Sequence, residues 1–388
     1  MSRRVTVVAA LGVTQTVAWA SSYYLPAILA DPMAAGLGMS RSAIFGAFSA
    51  SLLLTAMLGP SIGRVIDDRG GRSVLVWSNI IFAVGLTLLA SGHGPVALWV
   101  AWTILGAGMA LGLYDTAFAT LARLYELEAR GAITGVTLIA GFASTVGWPA
   151  TAFLNDTFGW RGACLAWAAL HIALALPLNA LAIPSPDRRA PAALRPAEEE
   201  APTARTAFLA LAFVFAATWF VSTAMAAHLP RLLQSAGASP TAAITAAALV
   251  GPAQVAARLA EYGVMRWLSP LITAQVATIL HPLGAAMLVA FGSPVASVFA
   301  ILHGAGNGML TIAKGTLPLY VFGSLGYGLR TGWLSAPARF MQAIAPFLFG
   351  LCLDELGSSA VLVTSGLGIA ALLALVLVRI PRAAITSP

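Results

Sequence analysis

The feature that most restricts this chain is a series of about a dozen stretches of 17 to 26 apolar residues, separated by short polar turns and almost free of internal charge. A helical run of about 20 apolar residues matches the roughly 30 Å hydrocarbon layer of a bilayer. No water is available there to satisfy backbone groups, so only helices and closed barrels can cross it. Runs this long without two-residue alternation select helices. Hydrophobic residues make up 59% of the chain and charged ones 9%, with a mean hydropathy of +0.87; a soluble domain carries roughly 25% charged residues. The sequence therefore predicts an all-α integral membrane protein. Its formal charge of +7 does not point to nucleic acid, because the arginines lie in loops between apolar runs, where positive charge sets topology.

The expected spans are 5–29, 43–66, 74–90, 97–122, 133–153 and 163–181, then 207–229, 242–259, 271–291, 295–319, 331–352 and 359–377. The first begins like a signal peptide, with Ala18-Trp19-Ala20 as a possible cleavage site, but its apolar run continues to Leu29 and is kept as a span. Between spans six and seven, residues 184–205 mix Pro, Ala and Arg with Glu198-Glu199-Glu200, the composition of a solvated linker. The expected organisation is two pseudosymmetric six-helix halves, 1–183 and 206–388, joined by a cytosolic linker. With the N-terminus in the cytosol, sixteen loop, linker and terminal arginines fall inside and three (Arg41, Arg161 and Arg231) outside. Both termini are then cytosolic. Cys164 and Cys352 have no motif spacing and read as free thiols.

The halves repeat each other. Thr134-Gly135 and Pro149 recur as Thr331-Gly332 and Pro346, displaced by 197, and Gly106-Ala107-Gly108 recurs as Gly304-Ala305-Gly306, displaced by 198. A nearly constant displacement over two adjacent spans indicates a duplicated unit, the plan of transporters that bind substrate near the midplane.

After the second span stands Gly63-Arg64-Val65-Ile66-Asp67-Asp68-Arg69-Gly70-Gly71-Arg72. It resembles the G-x-x-x-D-R/K-x-G-R/K-R/K signature of the major facilitator superfamily, with Asp68 and Gly71 at usually basic positions. Physically the motif, with Gly63, Asp67, Arg69, Gly70 and Arg72 as its members, is a tight charged turn: glycine lets two helices approach, while the acid caps a helix end and pairs with arginines across the half-domain. Trp19, Tyr23 and Tyr24, the stretch Gly36-Leu37-Gly38-Met39-Ser40-Arg41-Ser42, and Gly106-Ala107-Gly108 followed by Tyr114 are similar to the oxalate/formate antiporter and monocarboxylate transporter group. That resemblance implies cavity tyrosines and a basic residue of the second half holding a small carboxylate. Tyr23 or Tyr24, Tyr114 and Arg339 match by span and residue type. The group often places an arginine in the cavity on span eight, whereas Arg258 lies near the cytosolic end. The glycine-rich motif of drug/proton antiporters is only hinted at by Gly141, Gly147 and Pro149.

The clearly intramembrane charges are Asp115, Lys314 and Arg339. Arg339 stands about eight residues, roughly 12 Å, inside its span. It keeps its proton there and must face protein, water or ligand. Its planar fork suits a carboxylate, with structural pairing to Asp115 or to carbonyls near Pro337 and Pro346 as the alternative. Lys314 is the chain's single lysine. It either exchanges protons or pairs with an anion, or snorkels to the interface. Displacement by 198 carries Asp115 to Ala313, beside Lys314; an inner-gate ion pair and a static salt bridge are both open. Trp19, Tyr23 and Tyr24 read as cavity lining or as an interfacial belt. His228 is a candidate for proton coupling, while His171, His281 and His303 rank lower. Asn307, within Gly304-Ala305-Gly306-Asn307-Gly308, is a candidate cavity residue in a run of glycines that close helix packing explains.

No metal-ligand spacing, cofactor motif or P-loop is present, so neither enzyme chemistry nor ATP is expected. The expectation is a monomeric secondary transporter in the inner membrane of a bacterium. It moves a small organic anion, a monocarboxylate by class, by proton symport or exchange. The rival is a proton-coupled exporter of drugs or amphipathic cations, in which Asp115 binds the cation and Arg339 is structural.

Overall fold

The computed structural model describes residues 3–185 and 202–378. Every regular element among them is helical. Ten apolar helical runs are long enough to cross a membrane. Large apolar side chains such as Trp77, Val96, Phe153 and Phe347 stand exposed on their outer faces, as lipid-facing residues do. This is a multi-spanning helical membrane protein.

By internal contacts the chain divides into two compact units. Unit 1 takes the described residues up to 185 together with Ser324–Ala336, and unit 2 takes 202–323 together with 337–378. The expected linker falls largely on residues 186–201, which lie outside the described residues, as do the glutamates 198–200.

Unit 1 contains α1 (Arg3–Ser21), α2 (Leu25–Leu37), α3 (Arg41–Arg69), α4 (Arg72–Ser91), α5 (Gly94–Gly112), α6 (Tyr114–Tyr125), α7 (Ala129–Ala140), α8 (Ala143–Leu170) and α9 (Leu176–Ala182). Unit 2 contains α10 (Pro202–Ser235), α11 (Pro240–Ala248), α12 (Val250–Gly263), α13 (Pro270–Phe291), α14 (Ala296–Phe322), most of α15 (Tyr327–Leu356) and α16 (Val361–Leu377). The first turns of α15 belong to unit 1. The last residues of the expected linker are helical, since α10 starts at Pro202.

Several expected spans are not single helices. The first extends to Leu37 and breaks at 22–24, and the fourth breaks at Leu113. The run Ala129–Ala182 is 54 residues long, about 80 Å at helical rise and too long for one crossing. Gly159 turns it with a φ of 72°. Gly357, with a φ of 56°, similarly separates α15 from α16. Both conformations are left-handed and favour glycine. By contrast α15 runs unbroken through Pro337 and Pro346.

The packing repeats. In unit 1, α5 lies against α3 and α4, and α4 against α8; in unit 2, α14 lies against α12 and α13, and α13 against α16. The repeated glycines explain how. A Cβ at Gly106 would lie 2.8 Å from the Ser51 carbonyl oxygen, and one at Gly304 would lie 2.6 Å from that of Val250. The duplicated glycines thus mark the same helix crossing in both units, where backbones touch. Unit 2 closes around Phe299 and Phe349, both fully buried.

Candidate functional site

Two helix breaks in unit 1 meet at an aromatic cluster. At the first, Pro26 opens α2, where its missing N–H costs nothing. The Tyr24 N–H reaches back to the Trp19 carbonyl at 3.0 Å, leaving Tyr23 and Tyr24 on the bend. At the second, Leu113 is extended and α6 restarts at Tyr114. A break in an apolar layer orphans carbonyls that must find other donors. Gln15 Nε2 donates to the Gly112 carbonyl at 2.6 Å, and Thr116 Oγ1 donates to that of Ala110 at 3.0 Å. The Trp19 ring lies 5.1, 5.9 and 4.9 Å from those of Tyr23, Tyr24 and Tyr114. Trp19 is 4% exposed and Tyr114 6%, so these two rings are enclosed by protein. Asp115 occupies the first turn of α6, where the helix dipole favours a carboxylate, and accepts a hydrogen bond from Ser335 Oγ at 3.3 Å.

The charged turn lies at the other end of α3. A Cβ at Gly63 would overlap the Gly328 carbonyl, and one at Gly332 would lie 2.6 Å from the Gly59 carbonyl oxygen. The two helices therefore cross on paired glycines, Gly59 and Gly63 against Gly328 and Gly332. That closeness brings Asp67 to the start of α15, where its Oδ1 and Oδ2 accept the Gly328 and Leu329 N–H groups, each at 2.8 Å. Asp67 thus caps a helix end through two backbone donors, and the positive charge of Arg123 also acts on its carboxylate. Gly70 ends α3 with a φ of 80°, its N–H bonding the Ile66 carbonyl at 2.8 Å. Arg72 donates to Ser185 Oγ. Arg69 makes no hydrogen bond or ion pair among the described residues.

The remaining candidates belong to unit 2. Arg339 is 2% exposed, and its Nη1 donates to Gln342 Oε1 at 3.2 Å, one turn along α15. Lys314 is buried, with its Nζ 5.1 Å from the centre of the Trp219 ring, a cation–π contact. The His228 Nε2–H donates to the Pro346 carbonyl at 2.8 Å, which fixes its tautomer. Asn307 lines a small cavity with His281 and His303. Arg258 is 5% exposed and donates to the Gly308 carbonyl at 3.3 Å and to Thr311 Oγ1 at 3.4 Å.

The Major Facilitator Superfamily profile matches residues 11–322, well over half of the chain. The chain belongs to the Major Facilitator Superfamily. Members of that superfamily are membrane transporters. Mouse monocarboxylate transporter 11 is 33% identical over 148 residues, covering 37% of this chain and 32% of that one. The oxalate:formate antiporter of Oxalobacter formigenes is 29% identical over 110 residues, 28% and 26% of the two chains. An uncharacterized 38 kDa protein of Thermoproteus tenax is 31% identical over 149 residues, 38% of each. The matches thus span about a third of these relatives' length. Among solved structures, the human organic anion transporter MFSD10 superposes with a TM-score of 0.71 at 18% identity, over 96% of this chain and 99% of that one. The transporter FucP, in its outward conformation, superposes with a TM-score of 0.72 at 12% identity, over 97% and 99%. These two likenesses establish the fold.

Four polar partners in this transporter escaped the sequence reading: Gln15, Trp219, Ser335 and Gln342. Gln15 and Gln342 carried a usable signal, as the single side-chain amides of the runs Arg3–Leu37 and Tyr327–Leu356. Gln342 also stands three residues from Arg339, on the same helix face.

Proposed function

We propose that this transporter carries a small organic anion, a monocarboxylate by class, in symport with protons or in exchange. The observation that carries the reading is the imbalance of buried charge in unit 2. Among the described residues, its buried side chains of charged type are Arg258, Lys314 and Arg339 against Glu261, three basic to one acidic. A bound anion offsets such an excess, whereas a bound cation adds to it. Arg339 is the proposed carboxylate ligand, because its fork can give two parallel hydrogen bonds. Lys314 supplies a second positive charge, Tyr23, Tyr24 and Tyr114 supply hydroxyl donors with Trp19 beside them, and Asn307 supplies an amide. Asp115, Lys314 and His228 are assigned the coupling or gating roles, and Gly63, Asp67, Arg69, Gly70 and Arg72 the conformational motif. The names of the monocarboxylate transporter, the oxalate:formate antiporter and the organic anion transporter support the same substrate class.

The proposal includes twelve spans in two six-helix halves, the two longest apolar runs counting as two spans each. The same reading has both termini in the cytosol, which the positive charge of the loops supports, and a monomer working in the inner membrane of a bacterium.

Thermal unfolding of the purified protein against short carboxylates and lipophilic cations, for wild type and Arg339→Ala, tests the reading. The expected outcome is stabilisation by particular carboxylates that disappears in the variant. Stabilisation by cations alone, surviving in Arg339→Ala, would replace the anion carrier with an exporter of amphipathic cations.

A further inference from the structure

Unit 2 holds a pair of buried histidines for which the anion reading has no use. His281 stands midway along α13, and His303 stands in α14 about 10 Å along the helix axis from its start. Their Nδ1 atoms are 3.1 Å apart, and His281 Nε2 lies 3.0 Å from Thr364 Oγ1 on α16. Thr364 in turn donates to the Val361 carbonyl at 2.9 Å. One assignment of hydrogens fills all three contacts. The Thr364 hydroxyl hydrogen goes to Val361, so His281 must donate from Nε2 and accept at Nδ1, and His303 must donate from Nδ1. That leaves His303 Nε2 as the pair's remaining basic nitrogen.

His303 and His281 line a cavity with Thr218, Ser222, Thr278 and Asn307. The space available to water centres is ≈ 20 Å³, enough for one or two water molecules, which need about 10–15 Å³ each on this measure. No carboxylate, lysine or arginine lines it. α13, α11 and α16 carry no other titratable group. On α14, Lys314 and Tyr320 lie roughly 16 and 25 Å along the axis from His303. α12 brings Arg258, held by Gly308 and Thr311, together with Glu261 and Tyr262, and α10 brings Arg205, His228 and Arg231.

We propose that His281 and His303 with this water-sized cavity form a proton-binding site of the transporter, separate from Arg339 and Lys314. Hydronium in the cavity gives its proton to His303 Nε2; an N–H bond forms as an O–H bond breaks, leaving water. The Nδ1–H of His303 keeps its bond to His281, so the two rings take up one proton as a unit. His171 in unit 1 shows what an inert buried histidine looks like here. Its nitrogens are both engaged, by Ser21 Oγ and Asn79 Oδ1 at 2.8 Å each, and its ring stacks on Phe82.

The proposal rests on the reading of the chain as a proton-coupled carrier, and its test separates the two. Full-length protein labelled with ¹⁵N-histidine in lipid nanodiscs is titrated from alkaline to mildly acidic pH by NMR, with no substrate present. The expected result is an Nε2–H tautomer at His281 and an Nδ1–H tautomer at His303, whose signals move together on one protonation while those of His171 stay fixed. His303→Asn keeps an N–H donor towards His281 and removes the base. In proteoliposomes it should lose stimulation of uptake by an inward proton gradient while retaining substrate exchange. If both rings remain neutral throughout the titration, or if His303→Asn keeps its gradient stimulation, the site is overturned. Should the variant fail to fold, the wild-type titration decides alone. Loss of carboxylate binding with the titration intact would instead remove the anion reading and leave the proton site standing.

Discussion

Asp67 satisfies two helix-terminal N–H groups with one carboxylate, so Asp67→Ala leaves both unbonded at the start of α15. Hydrogen bonds to charged groups contribute about 1.5–3 kcal/mol, and thermal unfolding should register a loss of that order, with Asp67→Asn losing less because one acceptor survives. Gln15→Leu is expected to cost about 1–3 kcal/mol by stranding the Gly112 carbonyl in the apolar layer; an unchanged melting temperature would mean that another donor reaches it. Arg339 stood out in the sequence because a permanently charged side chain in an apolar run has few places to go. Asp67 stood out by motif spacing, but its backbone partners 261 and 262 residues away are tertiary and leave no local trace. Gln15 was overlooked for the same reason: the carbonyl it serves exists only because α5 ends early.

Helices were legible wherever hydropathy alone decides. Breaks were not, because the residues at them, Ser22 to Tyr24 and Leu113, are ordinary apolar or small polar types whose conformation is set by packing. Gly112 before Leu113, and Pro26 after Tyr24, were the available signals. Glycines separate into those that seat a neighbouring backbone and those that do not. Gly63→Val would drive a branched side chain into the Gly328 carbonyl and should abolish stable folding or transport, read by size-exclusion profile and uptake. Gly366 lies inside α16 with nothing within 4 Å of its would-be Cβ. Gly366→Ala should therefore be neutral or stabilising, by up to about 0.5–1 kcal/mol. Equal damage at the two positions would contradict this account of the glycines.

At the scale of the molecule, the repeat of Gly106-Ala107-Gly108 as Gly304-Ala305-Gly306 reappears as repeated helix contacts, since identical small residues permit identical crossings. The family followed from that plan and the charged turn. The substrate did not, because a few side chains in a common scaffold decide it. The central claim is that a small carboxylate is carried and that Arg339 grips it. The most direct measurement is uptake of labelled short monocarboxylates into proteoliposomes by wild type and Arg339→Lys. Lysine keeps the charge but not the fork. The expected result is saturable uptake by wild type and, in the variant, an apparent affinity weaker by about tenfold or more. Equal uptake by both proteins would make Arg339 structural, and no carboxylate uptake alongside export of lipophilic cations would contradict the anion carrier itself.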